Sequence, residues 1–213
     1  PNEDEITERK SMNKGLTRPE LSVLISYVKG DLKETLINST LPDEVHLSEE
    51  IKEVFPEQIT RKYDSELRNH RLRREIISTQ VANDMVNHMG ITFVERLKQS
   101  TGASPSSIAL AYIIARDVFD LESWWEEIES LDHKVPSSLQ MEMMAELMSL
   151  IRRACRWLIR NRRSELNVVE NMERFREGIR EISKALPTFL TGSSKDTFES
   201  RFNKLVDSGV SKE

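Results

Sequence analysis

His70-Arg-Leu-Arg-Arg-Glu-Ile-Ile-Ser-Thr-Gln-Val-Ala-Asn-Asp-Met-Val-Asn-His-Met89 is the stretch whose reading decides the fold. Leu72, Ile76, Ile77, Val81, Ala82, Met85, Val86 and Met89 recur at three and four residues, the period of an α-helix. They cover most of its circumference beyond the first turns, which predicts a helix in the middle of a bundle. Thr79 and Asn83 project within that apolar wall. They are candidates for a buried polar network, which must find hydrogen-bond partners or cost stability. Arg71, Arg73 and Arg74 open the helix with positive charge against its dipole, so an acidic group is expected nearby, Glu66, Asp64 or another chain.

Upstream, Thr17-Arg18-Pro19-Glu20 reads as a helix start: Thr17 caps, Glu20 closes the capping box and Pro19 fits the first turn. Leu21, Leu24, Ile25, Val28, Leu32 and Leu36 follow at helical spacing, and Gly30 is expected to bend or split this helix. Residues 1–14 are hydrophilic and are expected to form a flexible lead-in. A loop through Pro42, a short helix over 48–55 and another over 56–67 fill the interval.

Downstream, Gly90 ends the central helix and 91–99 begins the next. Ser104-Pro105 caps a helix whose stripe is Ile108, Ala111, Tyr112, Ala115 and Phe119. A short helix over 121–131 buries Trp124 or Trp125. Pro136 opens a long helix to about 161 with the stripe Leu139, Met143, Leu147, Leu150, Ile151, Ala154, Trp157 and Leu158. In 167–185 the apolar residues Val168, Met172, Phe175, Ile179, Ile182 and Leu186 alternate four and three apart, as in one partner of a coiled-coil hairpin. Leu186-Pro187 is expected to end it, and Phe198, Phe202 and Leu205 mark a weak last helix. No stretch alternates as a strand does. The expectation is an all-α bundle of roughly eight to ten helices with a long helical hairpin near the C-terminus. Its parts are a lead-in over 1–14, a helical domain over 15–190 and a weakly helical or flexible tail over 191–213.

Composition narrows the function. The net charge is −5, with 31 basic and 36 acidic residues, so the chain lacks the cationic surplus that nucleic-acid binding needs. Cys155 is the one cysteine, which rules out an intrachain disulfide and fits a reducing cytoplasm. No apolar run approaches the roughly 20 residues of a membrane span, and the first 14 residues are no signal peptide. The start at Pro1 rather than Met is expected of a piece of a longer chain. The 7 glycines never cluster into a phosphate-binding loop. His46, His70, His88 and His133 have no second ligand at metal spacing and read as surface or capping residues. Catalytic, cofactor-binding and metal-binding residues are therefore not expected in this chain.

One charged feature stands out. Arg152, Arg156, Arg160 and Arg163 recur on the polar side of the long helix, flanked by Arg153 and Arg162. Like charges at this spacing repel, so the ridge needs acidic partners. Glu165, Glu170, Glu173 and Glu177 of the next helix would neutralise it at home. Otherwise it docks an acidic patch of another domain or subunit.

Three runs also carry a resemblance: Gly15-Leu16-Thr17-Arg18-Pro19-Glu20-Leu21-Ser22-Val23-Leu24, His70 through Asp84, and Gly90-Ile91-Thr92-Phe93-Val94. They resemble the large bacterial NAD-specific glutamate dehydrogenases, in the region after their dehydrogenase domain, over about residues 15–160. The resemblance implies a C-terminal helical part of an oxidoreductase that deaminates L-glutamate to 2-oxoglutarate and ammonia with NAD reduction. The catalytic lysine and the cofactor loop of that family lie upstream, so no catalytic or cofactor residue carries over. The implied partners are the upstream dehydrogenase domain and other subunits of a homo-oligomer, with no nucleic acid and no membrane.

Two functions are thus expected in competition. One is a non-catalytic domain that supports assembly or domain closure of such an enzyme. The other is an independent helical adaptor that binds a partner through its exposed apolar seams.

Overall fold

The computed structural model describes residues 3–12, 15–162 and 166–210, and the first of these segments is already helical. In α1 (Glu3–Ser11) acidic side chains occupy the first turn and Arg9 and Lys10 the last, the arrangement that suits a helix dipole. Arg9 Nη1 donates to Glu20 Oε2 at 2.6 Å and ties α1 to the next helix. Part of the expected lead-in is therefore ordered as helix, although none of α1 is buried.

α2 (Arg18–Ile37) starts as its sequence dictates, with the Thr17 N–H and hydroxyl donating to Glu20 Oε2 at 2.8 and 2.7 Å. Gly30 does not split it, and Val28 and Leu32 on either side pack on the core. The expected loop through Pro42 holds a 3-10 turn at Leu41–Asp43, and in place of the short helix expected over 48–55 there are two more, at His46–Ser48 and Lys52–Val54. They sink Leu41, Leu47 and Ile51 into the interior. The expected helix over 56–67 is broken at Tyr63 (φ −125°) into α3 (Glu57–Lys62) and α4 (Asp64–Arg68).

α5 (Arg73–Met89) and α6 (Phe93–Thr101) each stop at a glycine with positive φ, Gly90 at 81° and Gly102 at 69°. α7 (Pro105–Val118) is capped by Ser104, whose Oγ accepts the Ser107 N–H at 3.1 Å. After it come α8 (Leu121–Ser130), α9 (Ser137–Asn161), α10 (Val168–Phe189) and α11 (Gly192–Asp207). Among the described residues no strand occurs, and the fold is all-α.

The middle of the bundle is α7 rather than α5. Ile108, Ala109, Ala111, Tyr112, Ile113, Ile114 and Ala115 are all buried, so α7 is covered on every side. Its run from Ile108 to Ala115 carries no charge, whereas α5 keeps a wet stripe of Gln80, Asn83 and Asn87. Leu72, at the start of α5, is half exposed. α5 packs chiefly on α2, while α9 and α10 both pack on α7. The two long helices thus follow one another as a hairpin does, yet the α10 seam meets α7 rather than running along α9. Trp157 and Phe175, with rings 5.7 Å apart, are where α9 and α10 touch.

Several details depart from expectation. Trp157, expected in the apolar stripe of α9, stays half exposed, whereas the expected burial of Trp124 or Trp125 falls to Trp125. Pro187 is accommodated in the last turn of α10, which runs on to Phe189. α11 is a full helix whose Phe198, Phe202 and Leu205 face Leu139 and Met143 of α9. The Lys204–Glu142 pair (2.5 Å) and the Arg201–Glu146 pair (3.2 Å) hold it there.

The arginines of α5 find carbonyls more than carboxylates. Arg74 bonds the Ile37 and Ser39 carbonyls at 2.7 and 2.6 Å, at the negative end of α2, and the Asp43 carboxylate at 2.5 Å. Arg73 bonds the carbonyls of Pro42 and Glu44 and the Ser48 hydroxyl. Asp64, the expected partner, pairs with Arg68 and Lys52 instead.

Because α7 is packed all round, Ile113→Ala should cost about 2–5 kcal/mol of stability. Ile182→Ala on exposed α10 should change it by less than about 0.5 kcal/mol. Urea unfolding of the two variants measures the contrast.

Candidate functional site

The most heavily buried charges gather where α5, α7 and the turns after α2 meet. Arg116, near the end of α7, donates from Nη2 to Glu50 Oε1 at 2.6 Å and from Nη1 to Asp84 Oδ2 at 3.0 Å. Its Nε donates to Asp117 Oδ1 at 2.8 Å. Only 16% of the Arg116 side chain and 7% of that of Glu50 reach solvent, so these bonds form largely away from water. Two imidazoles close the outer edge: His46 Nε2 meets Asp117 Oδ2 at 2.6 Å, and His88 Nδ1 meets Asp84 Oδ1 at 2.5 Å. Asp84 and His88 are four apart on α5, hence on one face. His88 also stacks on Trp125 of α8, with ring centres 5.1 Å apart.

The electrostatics are self-consistent. Burial alone would weaken the Arg116 charge, but Glu50, Asp117 and Asp84 outweigh it and raise its hold on the proton. Burial likewise pushes the Asp84 carboxyl up. The His88 hydrogen bond and the Arg116 charge win, and its pKa lies below the ordinary value. A polar cleft of about 420 Å³ lies over this cluster, lined among others by Lys29, Gln80, Asn83, Asn87 and Glu122.

Thr79 and Asn83 were the polar candidates on this helix. Thr79 is half-buried and donates to the Glu75 carbonyl of its own helix at 2.6 Å, and Asn83 is half-buried on the wall of the cleft. The interconnected polar groups lie one residue on, at Asp84. Sequence reasoning missed Arg116 and its partners, although an Arg-Asp pair closing an apolar run was a usable signal. It also took His46 and His88 for surface or capping groups. Each is in fact partly covered and bonded to a carboxylate of the cluster.

Elsewhere, Cys155 is fully buried, and burial pushes its thiol pKa up, which leaves no reactive thiolate. Among the described residues no three His, Cys, Asp or Glu side chains are placed to hold a metal ion.

The arginine ridge lies on the far side of α7. Arg152 and Arg156 are half-buried and Arg160 is exposed. Arg160 Nη2 reaches the Ser100 carbonyl at 3.4 Å, and the Arg156 Nε is buried with no hydrogen-bond partner. Among the described residues no ion pair joins these three to Glu170, Glu173 or Glu177, which face solvent on α10. Arg163 and Glu165 lie outside the described residues. Glu142 and Glu146 are taken by α11.

Comparison with known proteins places this architecture. The family model "Glutamate dehydrogenase, C-terminal" matches residues 13–213. The chain belongs to that family. It is 48% identical over 210 residues to an NAD-specific glutamate dehydrogenase of Pseudomonas aeruginosa. Identity is 43% to the one from Halomonas elongata and 30% to the one from Mycobacterium tuberculosis, each over 210 residues. In all three the match covers 99% of this chain but 13% of the relative, so the chain spans a small part of the relatives' length. In this member of the family a buried charge cluster sits near the end of the central helix, and Arg152, Arg156 and Arg160 make no ion pair with Glu170, Glu173 or Glu177.

Arg116→Met leaves buried carboxylates without their cation and should cost about 3–5 kcal/mol. Asp84→Asn should be destabilising at pH 7 and progressively less so below about pH 4, the range of a free carboxyl. The sign follows from the lowered pKa of Asp84, whose share of stability is full above the unfolded-state value and lost on acidification. Unfolding of wild type and variant across pH 2–7 measures that convergence.

Proposed function

We propose that this chain is a non-catalytic helical C-terminal domain of a large NAD-dependent glutamate dehydrogenase, packing on the dehydrogenase part of the same polypeptide. There it supports assembly or domain closure. The parent reaction is the oxidative deamination of L-glutamate to 2-oxoglutarate and ammonia with reduction of NAD, performed by residues outside this chain. The observation that carries this reading is the shape of the match: 99% of the chain aligns within 13% of its relatives' length.

NAD is bound elsewhere in the parent. The chemistry of the cleft over Arg116 supports this, because Glu50, Asp84 and Glu122 on its walls oppose a pyrophosphate. The arginine of that cleft, Arg116, offers little in return, since it is already spent on three carboxylates. Arg152, Arg156, Arg160 and Arg163 form the contact with an acidic patch of the dehydrogenase part or of another subunit in a homo-oligomer. Among the described residues Arg152, Arg156 and Arg160 pair with none of Glu170, Glu173 and Glu177, and such cations gain most from an acidic partner. We place the enzyme in the cytoplasm, where the free thiol of Cys155 stays reduced.

The test uses the full-length enzyme. Arg156→Glu with Arg160→Glu should shift its elution on a sizing column and lower glutamate-dependent NADH formation about tenfold or more. Unchanged elution and turnover remove the ridge from this role. NADH formation by residues 1–213 alone would falsify the non-catalytic assignment.

A further inference from the structure

The seam of α10 is only half used. Val168 and Met172 are buried and Phe175 and Ile179 half-buried, whereas Ile182 is 61%, Leu186 43% and Phe189 72% exposed. The used half closes one side of a cavity of about 320 Å³ between α7, α9 and α10, walled throughout by apolar and aromatic side chains. That cavity shares Val118, Phe119 and Ile179 with a broader trough of about 900 Å³ that runs along α10 from Arg176 to Leu186, with Trp124, Leu147 and Leu150 on its other walls. Apolar surface left open over several turns, continuous with an apolar cavity, marks an interaction site rather than ordinary scatter. Spacings of four and three along α10 match the surface of a second helix.

We propose that an amphipathic helix with an acidic flank, from the part of the parent polypeptide outside these residues, lies in this trough along the second half of α10. This rests on the reading of the chain as one domain of a longer enzyme. Relatives continue far beyond the matched region, which is 13% of their length, so most of the polypeptide is available as a tethered partner at high effective concentration. Charge on the rim selects among occupants. Arg176, Arg180 and Lys184 recur every fourth residue along the α10 edge of the trough, against the single Glu177, while Asp117 (already bonded to Arg116) and Asp120 lie on the opposite wall. Arg180 has no ion pair among the described residues, and Lys184 meets only its exposed neighbour Glu181, at 3.2 Å. An acidic flank answers that rim. A twofold pairing of α10 on the α10 of a second copy sets like charges against one another and is disfavoured.

Photo-crosslinking in the full-length enzyme tests this, with benzoylphenylalanine carried at position 186 or, separately, at position 153 on the arginine ridge. Both positions are exposed, so the label does not disturb packing. The expected result is a product of single-chain mass in which position 186 is joined to a peptide outside residues 1–213. Its yield should fall about tenfold with Arg180→Glu, which reverses the charge of the trough edge that the acidic flank meets. A product of twice that mass, a link to residues 1–213, or no product from position 186 overturns the inference. If position 153 still links to the dehydrogenase part, the domain reading survives that failure. If neither position links, both fall together.

Discussion

Arg116 sits where three carboxylates, two imidazoles and an indole ring converge from four separate parts of the chain. Taking a guanidinium and three carboxylates out of water is costly, and the cost is met only if each keeps its partner. All three guanidinium nitrogens of Arg116 are therefore committed, to Glu50, Asp84 and Asp117 at once, which leaves little freedom in how α5, α7 and the turns at 46–50 approach each other. Those turns have no long helix to stabilise them. They are fixed from one side by Arg116 and His46–Asp117 and from the other by Arg73 and Arg74, while Leu41, Leu47 and Ile51 fill the space beneath.

The same helix that carries Arg116 organises the rest. Its uncharged run from Ile108 to Ala115 is buried on all sides, so α7 acts as the post on which α9 and α10 lean. Two consequences follow for the surface. Along α9, Arg152, Arg156 and Arg160 form no ion pair with Glu170, Glu173 or Glu177 of α10. α10 spends its first turns on α7 and then runs out of partner, so its remaining apolar positions meet solvent. Both surfaces come from packing geometry, and both suit a domain that is part of a larger protein.

Much of the fold was legible. The periods in 70–89, 105–119, 136–161 and 167–186 gave helices of the right type in nearly the right places, and the Thr17, Ser104 and Gly90 signals fell at real boundaries. The errors have physical reasons. α1 has no apolar stripe and is helical through its charge order and its link to Glu20, which composition does not reveal. The 3-10 turns at 41–54 carry apolar residues too close together for a periodicity to emerge. Ridge residues could be named from spacing alone, but whether Glu170, Glu173 and Glu177 reached them depended on the direction in which α10 leaves α9.

What the sequence determined by itself was the class of fold and the longer helices, because helix periodicity and capping are local properties of a few neighbouring residues. What only the tertiary structure decided was which helix is central, which charges are buried together and which apolar seam stays open. Asp84, Arg116 and Glu50 are far apart along the chain, and each alone looks like a solvated residue on an amphipathic helix or turn. Only packing brings them within hydrogen-bond reach, because burial and Coulomb energy depend on distance in space and not on separation in sequence.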